Sequence, residues 1–244
     1  MSGADTRTLA GRTVVVIGGS SGIGFEVATQ VAEAGAEVTI MGRDEARLAT
    51  AADKLGARTR RVDAHDEAEL DAAMSDVGSV DHIVSMVGDS TAGGFLQTTP
   101  ETMRHVLNSK FLTNWAIGRY AARALANGGS VTFTSGTGGR PHEIAATYVA
   151  NLGIGALVQG LAREMAPHHR VNAVAPTFMG GATSFWRDVP AEQLHEQEQQ
   201  FAGAVPLGRI ATPGEVARAY VLLMTNQFIT GQVVAVDGGI MLAK

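Results

Sequence analysis

The feature that most constrains this chain is a rhythm, in which short β-branched runs are separated by longer stretches of helical period. Such alternation builds a parallel sheet with helical crossovers, because parallel strands cannot be joined by tight turns. The runs are TVVVI (13–17), EVTIM (37–41), TRRV (59–62), HIVSM (82–86), SVTFT (130–134), RVNAVA (170–175) and QVVAV (232–236). They predict an α/β fold: a single-domain, Rossmann-like, doubly wound parallel sheet of seven strands with helices on both faces. Between the first two runs, Ile23, Val27, Val31 and Ala34 recur every three or four residues and form one helix stripe. Ligands meet sheets of this kind at the carboxyl ends of the strands, so function is expected just after the runs.

A chain of 244 residues with 45% hydrophobic and 18% charged residues can bury a large core, and no repeat, low-complexity tract or linker divides residues 1–244. The formal charge of -5, with Lys and Arg scattered, argues against nucleic acid and anionic membrane as partners and leaves a small molecule. There is no cysteine, hence no thiolate metal site, and the neighbours His168 and His169 have no companions at metal-ligand spacing, so no metal is expected. The start MSGADTRTLAGR lacks the apolar core of a signal peptide, and the apolar runs are too short to span a bilayer; a cytoplasmic location is expected. Residues 177–204 carry Gly180, Gly181, Trp186, Pro190 and the polar run EQLHEQEQQ, which reads either as a substrate flap with a short helix or as a surface helical insertion.

The first chemical signal is VVVIGGSSGIGFEVA, where Gly18, Gly22 and Gly24 stand between a strand and a stripe-bearing helix. Glycine lets the backbone approach a pyrophosphate, whose charge meets the N–H groups at the helix N-terminus. At the end of the second run, IMGRDE carries Gly42 and then Arg43, near where a dinucleotide-binding sheet can present an acid or an arginine to the adenosine ribose. An acid repels a 2'-phosphate and a guanidinium grips it, so NADP(H) is favoured over NAD(H), although Asp44 nearby also reads as a helix cap.

These motifs together resemble the short-chain dehydrogenase/reductase family. The glycine turn, Asp63 after the third run, Asn108 in the fourth helix, Ser135, Tyr148, VNAVAP and the closing PLGRIATPGEVA and FITGQVVAVDGG follow in family order over residues 10 to 240. The resemblance implies cofactor contacts from Gly18, Ser20, Ser21, Gly22, Ile23 and Gly24, from Arg43, from Asp63 and Ala64, and from Gly88 and Pro176. It implies a catalytic set of Tyr148 as acid/base, Ser135 polarising a carbonyl and Asn108 organising a water relay. Reducing a carbonyl leaves an alkoxide that needs a proton and hydrogen bonds, which a phenol and a hydroxyl supply.

One member of the family pattern is replaced. A lysine normally follows the tyrosine by four residues, one turn along the helix, and here that residue is Leu152 in YVANLG. A cation about 4 Å from a phenolate is worth roughly 4 kcal/mol at an effective dielectric near 20. Leucine supplies none of it, Asn151 carries no charge, and Lys110, two residues past Asn108, is expected to point elsewhere. Ser85, Met86, Val87 and Gly88 stand where the family has Asn-Asn-Ala-Gly, and Pro176-Thr177 where it has Pro-Gly. The implied function is an NADP(H)-dependent oxidoreductase reducing a carbonyl of a small organic substrate. The alternative is a non-catalytic NADP(H)-binding sensor, scaffold or partner subunit. A homodimer or homotetramer is expected by the same resemblance.

Overall fold

A computed structural model describes residues 8–179 and 190–243. Among these, seven strands form one parallel sheet in the order β3-β2-β1-β4-β5-β6-β7. They are β1 (Thr13–Ile17), β2 (Glu37–Gly42), β3 (Arg58–Arg61), β4 (Val80–Ser85), β5 (Leu125–Thr134), β6 (Arg170–Pro176) and β7 (Val233–Val236). The chain order reverses between β1 and β4, which makes their carboxyl ends the natural mouth of a ligand crevice. β4 and β5 begin earlier than their β-branched runs predict. The Val80–Leu125 pair lies across a register shift from the His82–Ser130 pair, and Gly129 passes so close to Asp81 that a Cβ there would sit 2.6 Å from its carbonyl oxygen.

Alternation along β1 explains the two layers. Val14 and Val16 join a core with α1 (Gly22–Glu33), α2 (Glu45–Leu55) and α8 (Pro213–Thr225). Val15 and Ile17 join the opposite core with α3 (Glu67–Val77), α5 (Thr113–Ala124) and α6 (Ala145–Met165). Each fully buried valine contributes roughly 1.5–3 kcal/mol, so a one-residue slip of β1 would exchange the two faces at high cost. Of the expected stripe, Val27, Val31 and Ala34 enter this core with Ala28, and Ile23 packs against its edge while also lining the crevice. The PLGRIATPGEVA motif starts α8: Thr212 and Glu215 close a reciprocal capping box, Pro213 opens the helix, and Arg209 pairs with Glu215 at 2.6 Å.

α4 (Pro100–Val106) runs into a π turn, Leu107–Leu112, before α5 begins. α7 (Ala191–Ala204) supplies the helix of the 177–204 segment, and Phe178 stacks on Phe201 with ring centroids 4.8 Å apart. The rest of that segment, with Gly180, Gly181, Phe185 and Trp186, falls on 180–189 and lies outside the described residues. Contrary to the run-length reading, the 21 residues of α6 are long and apolar enough to cross a bilayer by length and composition. Here its buried stripe, Ile154, Val158, Ala162 and Met165, belongs to the core beneath β5 and β6.

Candidate functional site

A crevice of about 380 Å³ opens at the carboxyl ends of β1, β2 and β4, large enough for part of a dinucleotide. Its floor is backbone. Gly18 has φ 86°, and a Cβ on Gly24 would fall 2.2 Å from the Gly18 carbonyl oxygen, so the turn closes onto the helix only with glycine at both places. Ser20, Ser21, Gly22 and Ile23 line the same wall. Ser21 is the N-cap of α1 but makes no side-chain cap bond, and the first turn carries no acid. The N–H groups there are free for an anion, as the cradle of a pyrophosphate requires.

At the end of β2 the crevice is lined by Gly42, Arg43, Asp44 and Arg47. Asp44 caps α2 by accepting the Arg47 N–H at 3.1 Å and pairs with the Arg47 guanidinium at 3.2 Å. Arg43 is exposed and has no ion pair or hydrogen bond among the described residues. Asp63 and Ala64 line the far edge, where the Asp63 amide donates to Glu69 at 2.9 Å and the Asp63 carboxylate accepts the His65 amide at 3.1 Å.

The β4 wall rests on a network that sequence reasoning missed. Ser85 Oγ donates to Asn114 Oδ1 at 2.6 Å, and Asn114 Nδ2 donates to the carbonyls of Val87 and Lys110 at 3.0 and 2.6 Å. Asn114 therefore holds the 85–88 turn in place from α5. Thr134 adds a second tie, donating to the Ser85 carbonyl at 2.7 Å and meeting the Tyr220 hydroxyl at 2.8 Å. The only advance signal was an asparagine and a tyrosine in otherwise apolar helix stripes. Gly88, the last of this turn, lines the crevice with Asp89.

Beyond β5, the candidates Ser135 and Tyr148 stand outside the lining of the crevice. Ser135 is buried at the end of β5, and its Oγ donates to the Asn151 carbonyl at 3.2 Å. Tyr148 stands partly buried in the first turn of α6, and its hydroxyl makes no hydrogen bond among the described residues. Leu152, one turn on, is 61% exposed. Pro176 ends β6, its carbonyl accepting the Thr137 amide at 2.8 Å, and it does not line the crevice with the other expected cofactor residues. Thr137 Oγ1, Thr177 Oγ1 and Asn151 Oδ1 are buried without partners among the described residues, so this end holds polar groups unmatched by them.

Asn108 and Lys110 differ in burial along the fourth helix. Asn108 is exposed, its side chain makes no hydrogen bond among the described residues, and it does not line the crevice. Lys110, expected to point elsewhere, is 5% exposed and packs its stem under Gly88, where a Cβ would fall 2.7 Å from Lys110 Cγ. In the π turn the Thr113 amide reaches back to the Asn108 carbonyl, five residues away, so this turn holds one residue more than an α-helical one. Burial lowers the Lys110 ammonium from its ordinary range to about 8, opposed by the nearby carboxylate of Asp89.

This architecture can be set beside known proteins. Residues 17–241 match the family model described as Enoyl-(Acyl carrier protein) reductase. A Gibberella fujikuroi protein named Short-chain dehydrogenase/reductase fsr5 is 31% identical over 260 residues, with 96% of each chain covered. The chain is a short-chain dehydrogenase/reductase. Within that family, the 3-oxoacyl-[acyl-carrier-protein] reductase FabG of Chlamydia muridarum is 29% identical over 252 residues, covering 95% of this chain and 98% of that one. A short-chain type dehydrogenase/reductase from Mycobacterium ulcerans superposes with a TM-score of 0.87 at 29% identity, over 97% of this chain and 92% of that one. Membership makes this dehydrogenase/reductase an oxidoreductase of small molecules that works with a nicotinamide cofactor. The glycine cradle and the uncapped start of α1 fit such a cofactor. Among the described residues no group of three His, Cys, Asp or Glu side chains is arranged to hold a metal.

Proposed function

We propose that this short-chain dehydrogenase/reductase is an NADP(H)-dependent carbonyl reductase of a small organic substrate, with Tyr148 as the proton donor. The observation that carries the reading is Ser135, which follows the crevice residue Thr134 at the end of β5 and whose Oγ donates to the Asn151 carbonyl of α6, the helix whose first turn carries Tyr148. The preference for NADP(H) rests on Arg43, a cation without a partner among the described residues at the edge of the crevice, while the Asp44 carboxylate is committed to its cap and to Arg47. The glycine turn and the first turn of α1 bind the pyrophosphate, Arg43 the 2'-phosphate, and Asp63 and Ala64 border the adenine. When bound, the nicotinamide supplies a hydride to the carbonyl carbon. Ser135, whose proton rests on the Asn151 carbonyl, rotates it onto the substrate oxygen, and Tyr148 gives its phenolic proton to the same oxygen as charge develops there. The presence of a 3-oxoacyl reductase among the relatives makes 3-oxoacyl thioesters the first substrates to try.

The competing reading, an NADP(H)-binding sensor, scaffold or partner subunit without turnover, is favoured by Leu152, which leaves α6 without a cation one turn from Tyr148. Titration with NADPH and NADH, followed by turnover with ketones and 3-oxoacyl thioesters, separates the two. Tight NADPH binding with reduction supports the reductase, and tight binding with no turnover of any substrate supports the sensor. We place the protein in the cytoplasm as a homodimer or homotetramer, and a monomer by light scattering at micromolar concentration contradicts the latter.

A further inference from the structure

Asn151 stands on α6, and the reaction proposed above uses only its main-chain carbonyl. It follows Tyr148 by three residues, so the two share a side of the helix. Leu152, the other residue one turn on from Tyr148, is exposed, whereas Asn151 is half-buried. The helix is pinned at this point. Thr147, one turn before Asn151, accepts the Thr91 amide at 2.8 Å and donates to the Thr91 carbonyl at 3.0 Å.

The loop after β5 meets Asn151 twice. Ser135 Oγ donates to its carbonyl at 3.2 Å, and the three atoms nearest to a Cβ built on Gly136 all belong to its carboxamide, at 3.0, 3.5 and 3.6 Å. Toward the sheet, the amides of Ser135 and Thr137 donate to the carbonyls of Val174 and Pro176 at 2.9 and 2.8 Å. Gly136 is therefore gripped from two sides: β6 holds the chain before and after it, and the carboxamide covers the place of its absent side chain. Its φ is not positive, so the backbone there does not call for glycine, and the approach of Asn151 is what excludes a side chain.

The carboxamide is kept at a cost. Asn151 Oδ1 is buried without a hydrogen bond among the described residues, a penalty that an apolar side chain of the same size would not carry. What the carboxamide offers instead is a flat face, which lies against the loop without the branching methyls of leucine.

We infer that Asn151 is a positioning residue for Ser135: its carbonyl takes the resting hydroxyl proton, and its carboxamide, lying on Gly136, fixes the peptide that follows Ser135, so that the hydroxyl turns to the substrate oxygen from one place. The inference rests on the carbonyl reductase reading and gives α6 a second duty beside presenting Tyr148.

The test is a double-mutant cycle on carbonyl reduction with NADPH, in the wild type, Asn151→Ala, Ser135→Ala and the pair. Asn151→Ala is expected to lower kcat roughly 10-fold and Ser135→Ala roughly 10²-fold, with KM for NADPH unchanged, and the pair to be no slower than Ser135→Ala alone. A second loss of roughly 10-fold in the Ser135→Ala background overturns the inference and makes Asn151 a strut of α6. An unchanged kcat in Asn151→Ala overturns it as well. Should Asn151→Ala fail to fold, Gly136→Ala presses on the same contact from the loop and leaves α6 intact. It is expected to lower kcat in the wild type and to add nothing beside Ser135→Ala, and losses that multiply, or no loss, overturn the inference. A wild type that binds NADPH but reduces no ketone or 3-oxoacyl thioester removes the reductase reading, and this inference with it. A wild type that reduces them while the two losses multiply removes this inference alone.

Discussion

The adenosine end of the crevice is made mostly of backbone, whereas the nicotinamide end is made of side chains drawn from several elements. At the first, Gly18, Gly24 and the start of α1 form the proposed cradle, and a single Cβ on Gly24 would collide with the chain itself. At the second, Ser135 follows β5 and Tyr148 stands on α6, and Thr137, Thr177 and Asn151 keep buried oxygens without partners among the described residues. A backbone site has no members to exchange, so it changes all at once or not at all. A side-chain site can change one member while the sheet holds its place, and Leu152, one turn on from Tyr148, is such a change.

The sharpest way to break this comparison is Tyr148→Phe. It is expected to lower kcat/KM for carbonyl reduction by roughly 10²-fold to 10⁴-fold with NADPH affinity intact, as one acid is removed and no backbone moves. Turnover that survives assigns the proton to another group.

The next effect concerns stability. The Lys110 ammonium lies near 8 in the fold, lowered by burial from 10.5, so the unfolded chain binds more protons between those values and stability rises with pH across that window. The penalty is fully present below pH 8 and amounts to roughly 3 kcal/mol at most. Without nucleotide, Lys110→Met should therefore be more stable than the wild type at pH 7.5 in urea denaturation, with the gap narrowing toward pH 10.5. A gap that does not change with pH would place the ammonium in water and weaken the contrast between the two ends.

Gly24→Ala tests the other end. Overpacking against the Gly18 carbonyl should reduce stability by about 1–3 kcal/mol and weaken NADPH and 2',5'-ADP alike, by about 10-fold to 100-fold. Loss confined to NADPH would show that the turn is not the shared anchor. The smallest expected effect is Arg43→Ala, which should cost NADPH about 10-fold and leave NADH unchanged by calorimetry. Equal losses would reassign Arg43 to a general electrostatic role.

The same contrast decides what could be read from the sequence. The order of β1, the glycine turn and α1 was legible because each signal is local: a β-branched run, glycines at fixed offsets and a helix stripe. Ten of the eleven expected cofactor residues line the crevice, and Pro176 is the exception because it belongs to the other end. The register of the fourth helix was not legible, because Asn108 was placed by family resemblance alone and a π turn leaves no mark in an apolar pattern. The supports of the β4 wall were hidden for another reason. Ser85 to Asn114 spans 29 positions and Thr134 to Tyr220 spans 86, and a hydrogen bond of such reach has no periodicity to announce it. The early starts of β4 and β5 were masked by Gly128 and Gly129, which read as a turn and act as a bulge.

The π turn at Leu107–Leu112 also acts as a phase adjuster. Each residue of an α-helix advances the side chains by about 100°, so one extra residue rotates everything after it by that much. α4 needs Val106 toward α6, while α5 needs Ile117 and Ala121 toward the sheet, and the two demands are met only with the inserted step between them. A single deletion in this turn would thus dial Lys110 away from Gly88 and Ile117 out of the core together, making the length of this segment, as much as its composition, a specification of the site.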